Sequence, residues 1–162
     1  MSAWHSVCYL KTSNHIRGKP VKYKFSILIA DRNPHVREFL RREMTAEGYQ
    51  VQLAENGRHL IKWVFDNKEA FDLLIIDPDL PDTDMPALLK KLRDRVPFLP
   101  MVVHAFLSDY TDHSDVLQKI PFVEKRGSSI EHLKKVVFEI LHKSDIEHQK
   151  SARNDTSHLL ER

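Results

Sequence analysis

The first 24 residues contain no acidic side chain, the whole chain contains one cysteine, and no apolar run exceeds four or five residues. Each absence excludes a class. A lone Cys8 cannot form an internal disulfide, which points to a reducing compartment and an expected cytoplasmic location. Runs such as Leu73–Ile76 are far short of the roughly 20 apolar residues that span a bilayer, so no membrane partner is expected. The opening MSAWHSVCYLKTSNHIRGK lacks the continuous apolar stretch of a secretory signal. There is no internal repeat and no low-complexity tract, and 162 residues leave room for one domain with short extensions.

The net charge of +2 is unevenly spread. Residues 1–24 contribute +5 through Lys11, Arg17, Lys19, Lys22 and Lys24, while residues 143–162 contribute nothing, so the block 25–142 is mildly acidic. The basic arm reads as a solvated, flexible extension, and no direct nucleic-acid binding is expected.

Between residues 26 and 142, short apolar runs alternate with helical periodicity. Ser26–Ala30, Gln50–Ala54, Asp72–Ile76, Met101–His104 and Phe122–Glu124 read as strands, several of them continuously apolar as for parallel strands covered on both faces. Val36, Phe39, Leu40 and Met44 mark a helix that Gly48 stops. Leu60, Ile61 and Val64 mark a second, and Met85, Leu88, Leu89 and Leu92 a third. Ser108 and Asp109 can cap a fourth, weaker helix through Lys119, and Ser128 or Ser129 a fifth bearing Ile130, Leu133, Val137, Ile140 and Leu141. Five strand–helix units imply a doubly wound α/β sheet with helices on both faces. In such sheets the working residues stand at the carboxyl ends of the strands. Here those ends are Asp31-Arg32, Asp77, His104-Ala105 and Lys125, two carboxylates and two cations converging on one rim. Close carboxylates repel unless a cation lies among them, and a lysine can supply it as a point charge.

These segments resemble, in order, the receiver domain of response regulators. Ile27-Leu-Ile-Ala-Asp31 with Arg37 and Gly48-Tyr49 is similar to that family's opening strand and helix, and Asp72-Leu-Leu-Ile-Ile-Asp77-Pro-Asp-Leu-Pro81 to its phosphorylation segment. Pro100-Met-Val-Val-His-Ala105 and Phe122-Val-Glu-Lys125 resemble its fourth and fifth strands. The resemblance implies a five-stranded parallel sheet in the flavodoxin-like order 2-1-3-4-5. It implies Asp77 as acceptor of a phosphoryl group from a histidine kinase or phosphotransfer protein, Lys125 as its cationic partner and Phe122 as the aromatic switch. Mg²⁺ is implied at Asp31, Asp77 and the backbone carbonyl of Asp79. The domain itself would not be an enzyme beyond phosphorylation and dephosphorylation of Asp77.

The sequence departs from the pattern at two pocket positions. Arg32 stands where a second acid normally binds the metal, removing a ligand and adding a charge. Mg²⁺ is therefore expected to bind weakly or not at all, unless Arg32 turns out to solvent; alternatively its guanidinium pairs with Asp77 or the phosphoryl group. His104 replaces a Thr or Ser whose hydroxyl follows the phosphoryl oxygen; an imidazole can donate but changes charge near neutral pH. Arg126-Gly127 and Met85 are lesser departures, and the Asp79 carboxylate faces the site mouth, where it can orient water or supply a metal ligand. Ala105 completes the pocket.

Residues 25–142 thus read as the receiver domain, 1–24 as an extension and 143–162 as a polar tail or helix extension too short for a DNA-binding output domain. A stand-alone module would signal through protein contacts, with an unidentified downstream protein or a second copy on the fourth-helix, fifth-strand and fifth-helix face. That face would include Tyr110, His113, Val116, His132 and Lys135. With no hydroxyl at 104, coupling of phosphorylation to this face is expected to be weak. The main alternative is a phosphorylation-independent pseudo-receiver. Asp77-Pro-Asp79 also looks like the motif of haloacid-dehalogenase phosphatases, but stands on the wrong strand for them. A flavodoxin needs a glycine- and hydroxyl-rich phosphate loop, which Asp31-Arg-Asn-Pro-His does not provide.

Overall fold

The computed structural model of the chain describes residues 12–16, 19–22, 25–66 and 71–143; Cys8, most of the basic arm and the tail after 143 lie outside them. Two short strands, β1 (Thr12–Ile16) and β2 (Lys19–Lys22), pair antiparallel as a hairpin within the N-terminal extension, elements the strand reading did not include. Five more strands form one parallel sheet: β3 (Ser26–Ala30), β4 (Gln50–Ala54), β5 (Leu73–Ile76), β6 (Met101–Ala105) and β7 (Phe122–Glu124). Their order is β4-β3-β5-β6-β7, which counted within this sheet is the expected 2-1-3-4-5.

Alternation along these strands divides the core in two. Leu28, Ala30, Leu74, Ile76, Val103 and Ala105 face one side, packing on Leu60 of α2 (Gly57–Asp66) and on Leu88, Leu89 and Leu92 of α3 (Met85–Arg95). Ile27, Ile29, Leu73, Ile75, Val102 and Val123 face the other, against Leu40 and Met44 of α1 (Pro34–Ala46) and Leu133, Val137 and Leu141 of α6 (Ser129–Leu141). Leu73–Ile76 is no more than 1% exposed, and each such side chain contributes about 1.5–3 kcal/mol through burial. Continuous apolarity in β3 and β5 is what a central parallel strand requires.

Helix ends set the loops around the sheet rim. Asn33 caps α1 by accepting from the amides of His35 (2.9 Å) and Val36 (3.4 Å), and Pro34 begins the helix where its missing N–H costs nothing. Gly48, at φ +87°, closes α1 as expected, with Tyr49 donating back to the Met44 carbonyl at 3.2 Å. At the start of α2, the Gly57 amide donates to Asp82 Oδ1 at 2.9 Å, tying that helix to the loop after β5. A side chain at Gly57 would collide with Thr83 Oγ1.

The fourth helix differs from its expected form. It is two short pieces, α4 (Leu107–Asp112) and α5 (Ser114–Leu117), broken at His113, and Phe106 rather than Ser108 or Asp109 stands at its start without any side-chain cap. Ser128 occupies the N-cap of α6 but makes no capping hydrogen bond, whereas the Ser129 hydroxyl ties back to the Arg126 carbonyl at 2.8 Å.

Candidate functional site

Each rim residue is fixed by a ladder bond running one step past its strand. The Asp31 amide donates to Ala54 O (3.2 Å), that of Asp77 to Ala30 O (2.8 Å) and that of Lys125 to Ala105 O (2.8 Å). The side chains of Asp31 and Asp77 therefore start from adjacent strand ends, and that of Lys125 from the end of β7, beyond β6 on the same rim. They meet: Lys125 Nζ lies 2.8 Å from Asp31 Oδ2 and 3.1 Å from Asp77 Oδ2, with all three side chains at most 7% exposed. Burial pushes the Asp31 carboxyl up from its usual range, against the opposing pull of Lys125. The other oxygens are used locally, Asp31 Oδ1 accepting from the Asn33 amide (2.8 Å) and Asp77 Oδ1 from that of Asp79 (3.1 Å).

Arg32 turns inward over this floor, so the solvent-facing option falls away. Its guanidinium pairs with the Asp79 carboxylate, places Nη2 2.7 Å from Asp109 Oδ2, and sets Nε 3.6 Å from Asp77 Oδ2. Its backbone is held independently: Arg37 Nη1 donates to the carbonyls of Asp31 (2.7 Å) and Arg32 (3.2 Å). Asp79 thus faces the site mouth as read from sequence, but its carboxylate is engaged by Arg32. Asp109, expected as a helix cap, serves instead as an anchor for Arg32. That role of Asp109 carries no local sequence signal, because its partner lies 77 positions away. The bracing by Arg37 is local, reaching back five and six residues from its own helix.

His104 and Phe122 are not brought together. His104 pairs in register with Val123, and lines a cavity of about 280 Å³ with Val36, Phe39 and Leu40 of α1 and Ile130 of α6. Phe122 lies on the opposite face, its ring 4.1 Å from that of Tyr110. Tyr110 and Val116, read as members of an output face, are partly buried against the core there, whereas His132 and Lys135 are exposed. Ala105 is fully buried beneath the site.

The imidazole is no switch near neutral pH. Burial, aided by the nearby Lys125 charge, lowers its pKa to about 4, and Nδ1 has no hydrogen-bond partner among the described residues. Between pH 6.5 and about 4 the unfolded chain binds a proton that the folded domain refuses, so stability falls as pH falls through that window. The loss attributable to His104 is up to about 3 kcal/mol. Asp31, with its folded pKa raised, has the opposite sign, but it is common to wild type and His104→Gln and cancels between them. Urea unfolding on both sides of the window should show a smaller acid loss in His104→Gln; equal losses would contradict the assignment.

The geometry does not suit a divalent ion. Asp31 and Asp77 already share Lys125, and a guanidinium lies against Asp77 and Asp79 where a further ligand would be needed. Among the described residues, no group of three or more His, Cys, Asp or Glu side chains is arranged to hold a metal. No helix there is long and apolar enough to cross a membrane.

Residues 27–136 match the family model of the response regulator receiver domain. Among curated proteins, the sensor protein EvgS of Escherichia coli (strain K12) is 38% identical over 78 residues, covering 48% of this chain and 6% of EvgS. The response regulator MprA of Mycolicibacterium vanbaalenii is 32% identical over 77 residues, covering 48% of this chain and 32% of MprA. The chain spans at most about a third of such relatives. Among solved structures, the response regulator TrrA of Thermotoga maritima in complex with Mg²⁺-BeF superposes with a TM-score of 0.63 at 26% identity, over 72% of this chain and 99% of TrrA.

Proposed function

Because the chain belongs to the response regulator receiver family, we propose that Asp77 accepts a phosphoryl group from a phosphohistidine on a histidine kinase or phosphotransfer protein. Receiver domains in general are non-enzymatic modules that interact with such partners and bind Mg²⁺ at the phosphorylation site. The observation that carries the reading is the buried Lys125 bridge between Asp31 and Asp77. In the transfer, an Asp77 carboxylate oxygen attacks phosphorus, the P–N bond breaks, and the imidazole nitrogen leaves with the bonding pair and takes up a proton. Lys125, a compact point charge, can exchange its Asp77 contact for the incoming phosphoryl oxygen. Since Arg32 displaces a metal ligand, Mg²⁺ binding is weak in this reading. The working unit is residues 25–142, it acts in the cytoplasm and performs no turnover beyond its own phosphorylation and dephosphorylation, and it signals through protein contacts.

A second reading is a phosphorylation-independent binding module. It is favoured by one observation: the Asp77 carboxylate is fully buried beneath the Arg32–Asp79 pair. The phosphatase reading is dropped, since the fold is that of a receiver and Asp79 is committed to Arg32. Treatment with acetyl phosphate followed by intact mass measurement separates the first two. A single phosphoryl adduct should form on the wild type and be absent from Asp77→Asn, whose amide is not a nucleophile. An equal adduct on both proteins would overturn Asp77 as acceptor. No adduct on either, together with a partner that binds Asp77→Asn as tightly as wild type, would establish the second reading.

A further inference from the structure

We infer that Arg32 is the phosphoryl-binding cation of this site, standing in place of a divalent ion, and that its departure from Asp109 carries the change to α4. The inference rests on Asp77 being the acceptor. A guanidinium presents five N–H donors in a planar fork that matches a phosphoryl group bidentately. Arg32 has that fork poised, with Nε 3.6 Å from Asp77 Oδ2 while Nη2 holds Asp109 at 2.7 Å. Because Arg37 and the Asn33 amide pin the surrounding backbone, the mobile part is the side chain alone, which is 35% exposed.

Phosphorylation would add about 1.5–2 negative charges within reach of that Nε. The competing anions are the Asp79 carboxylate, in the acceptor's own loop, and the Asp109 carboxylate on α4. A guanidinium that shifts towards the phosphoryl oxygens therefore stays beside Asp79 while Asp109 loses the contact. The helix at the other end of that contact is poorly secured. It has six residues, no side-chain cap, a break at His113 and no fully buried side chain. Its other visible anchor is Tyr110 against Phe122. A hydroxyl relay through position 104 is missing, since His104 faces α1 and α6 instead. The Arg32–Asp109 pair is therefore a direct route from the acceptor to α4.

The test uses acetyl phosphate, in chelator and in Mg²⁺, on wild type, Arg32→Ala, Arg32→Asp and Asp109→Asn. Asp77 attacks phosphorus, the P–O bond to the acetyl group breaks, and acetate leaves with the bonding pair. Adduct is read by intact mass, and residues 106–117 by amide exchange. The wild type should form adduct equally well in chelator and in Mg²⁺. Arg32→Ala should form about tenfold less in chelator, as expected for one lost charge-assisted contact. Arg32→Asp should recover only when Mg²⁺ is added. Exchange in α4 should quicken on phosphorylation of the wild type, and already be quick in Asp109→Asn before any donor is added. Adduct that needs Mg²⁺ and ignores Arg32→Ala would overturn the inference while leaving Asp77 as acceptor. Unaltered exchange of α4 in Asp109→Asn would overturn the route to α4. No adduct on any protein under any condition would overturn the acceptor reading, and this inference with it.

Discussion

Lys125→Met will destabilise the domain by about 3–5 kcal/mol, a large part of the roughly 5–15 kcal/mol that holds a domain of this size together. The lysine is the cation shared by Asp31 and Asp77, and none of the three side chains has more than 7% of its surface in water. Removing it leaves two like charges desolvated at neighbouring strand ends, and their repulsion adds to the burial that already pushes the Asp31 carboxyl up. Two corollaries separate this from simple loss of packing. Without the lowering pull of Lys125, the folded-state pKa of Asp31 rises further above its unfolded value. The folded domain then binds the proton more readily, and the deficit shrinks as pH falls through that raised value. Neutralising a partner should also help, so Lys125→Met with Asp31→Asn should be more stable than Lys125→Met alone. Urea unfolding of the three proteins at two pH values reads both effects. A Lys125→Met domain within about 1 kcal/mol of wild type, the range of an ordinary surface change, would show that the bridge contributes little.

Arg32→Asp will raise Mg²⁺ affinity about a hundredfold. The substitution removes a positive charge lying over Asp77 and Asp79 and restores a carboxylate beside Asp31. A unit charge about 5 Å from another interacts by roughly 3 kcal/mol at an effective dielectric near 20. Mg²⁺ carries two charges and the substitution changes two, so even with strong discounting for the half-exposed arginine about 3 kcal/mol remains. This hard ion takes oxygen ligands, commonly one or two carboxylates together with waters and phosphoryl oxygens. Calorimetric titration of both proteins measures the difference. Equal affinities would mean that Arg32 exerts no hold over the site.

The sheet was legible because its signal is local. Ser26–Ala30, Gln50–Ala54 and Phe122–Glu124 coincide with observed strands, and the other two differ by one residue. At Asp72 the pairing is mixed: its amide donates to the Ser26 carbonyl at 2.8 Å, but the Ser26 amide donates to the Asp72 carboxylate at 2.7 Å. Asp31, Asp77 and Lys125 were equally legible, since strand ends in a parallel sheet converge whatever the loops do. The fourth helix was not. Ser108 and Asp109 have cap chemistry, but Asp109 spends its carboxylate on a residue 77 positions away, which no local rule reports. Arg32 could turn out to solvent or in to the site, and the choice depends on three carboxylates far away in sequence, Asp77 and Asp79 after β5 and Asp109 on α4. His104 was misjudged as a group titrating near neutrality because burial and the field of Lys125 are properties of the assembled site.

The claim at the centre of this account is that a side chain, rather than a metal, supplies the second cation facing Asp77. A crystal structure of the domain with beryllofluoride, grown in the presence of Mg²⁺, addresses it most directly. The beryllofluoride should sit on Asp77 with the Arg32 guanidinium and Lys125 ammonium in contact with its fluorines, no metal between Asp31 and Asp77, and the Arg32–Asp109 pair parted. A bound Mg²⁺ beside Asp77, with Arg32 turned out to solvent, would contradict the claim.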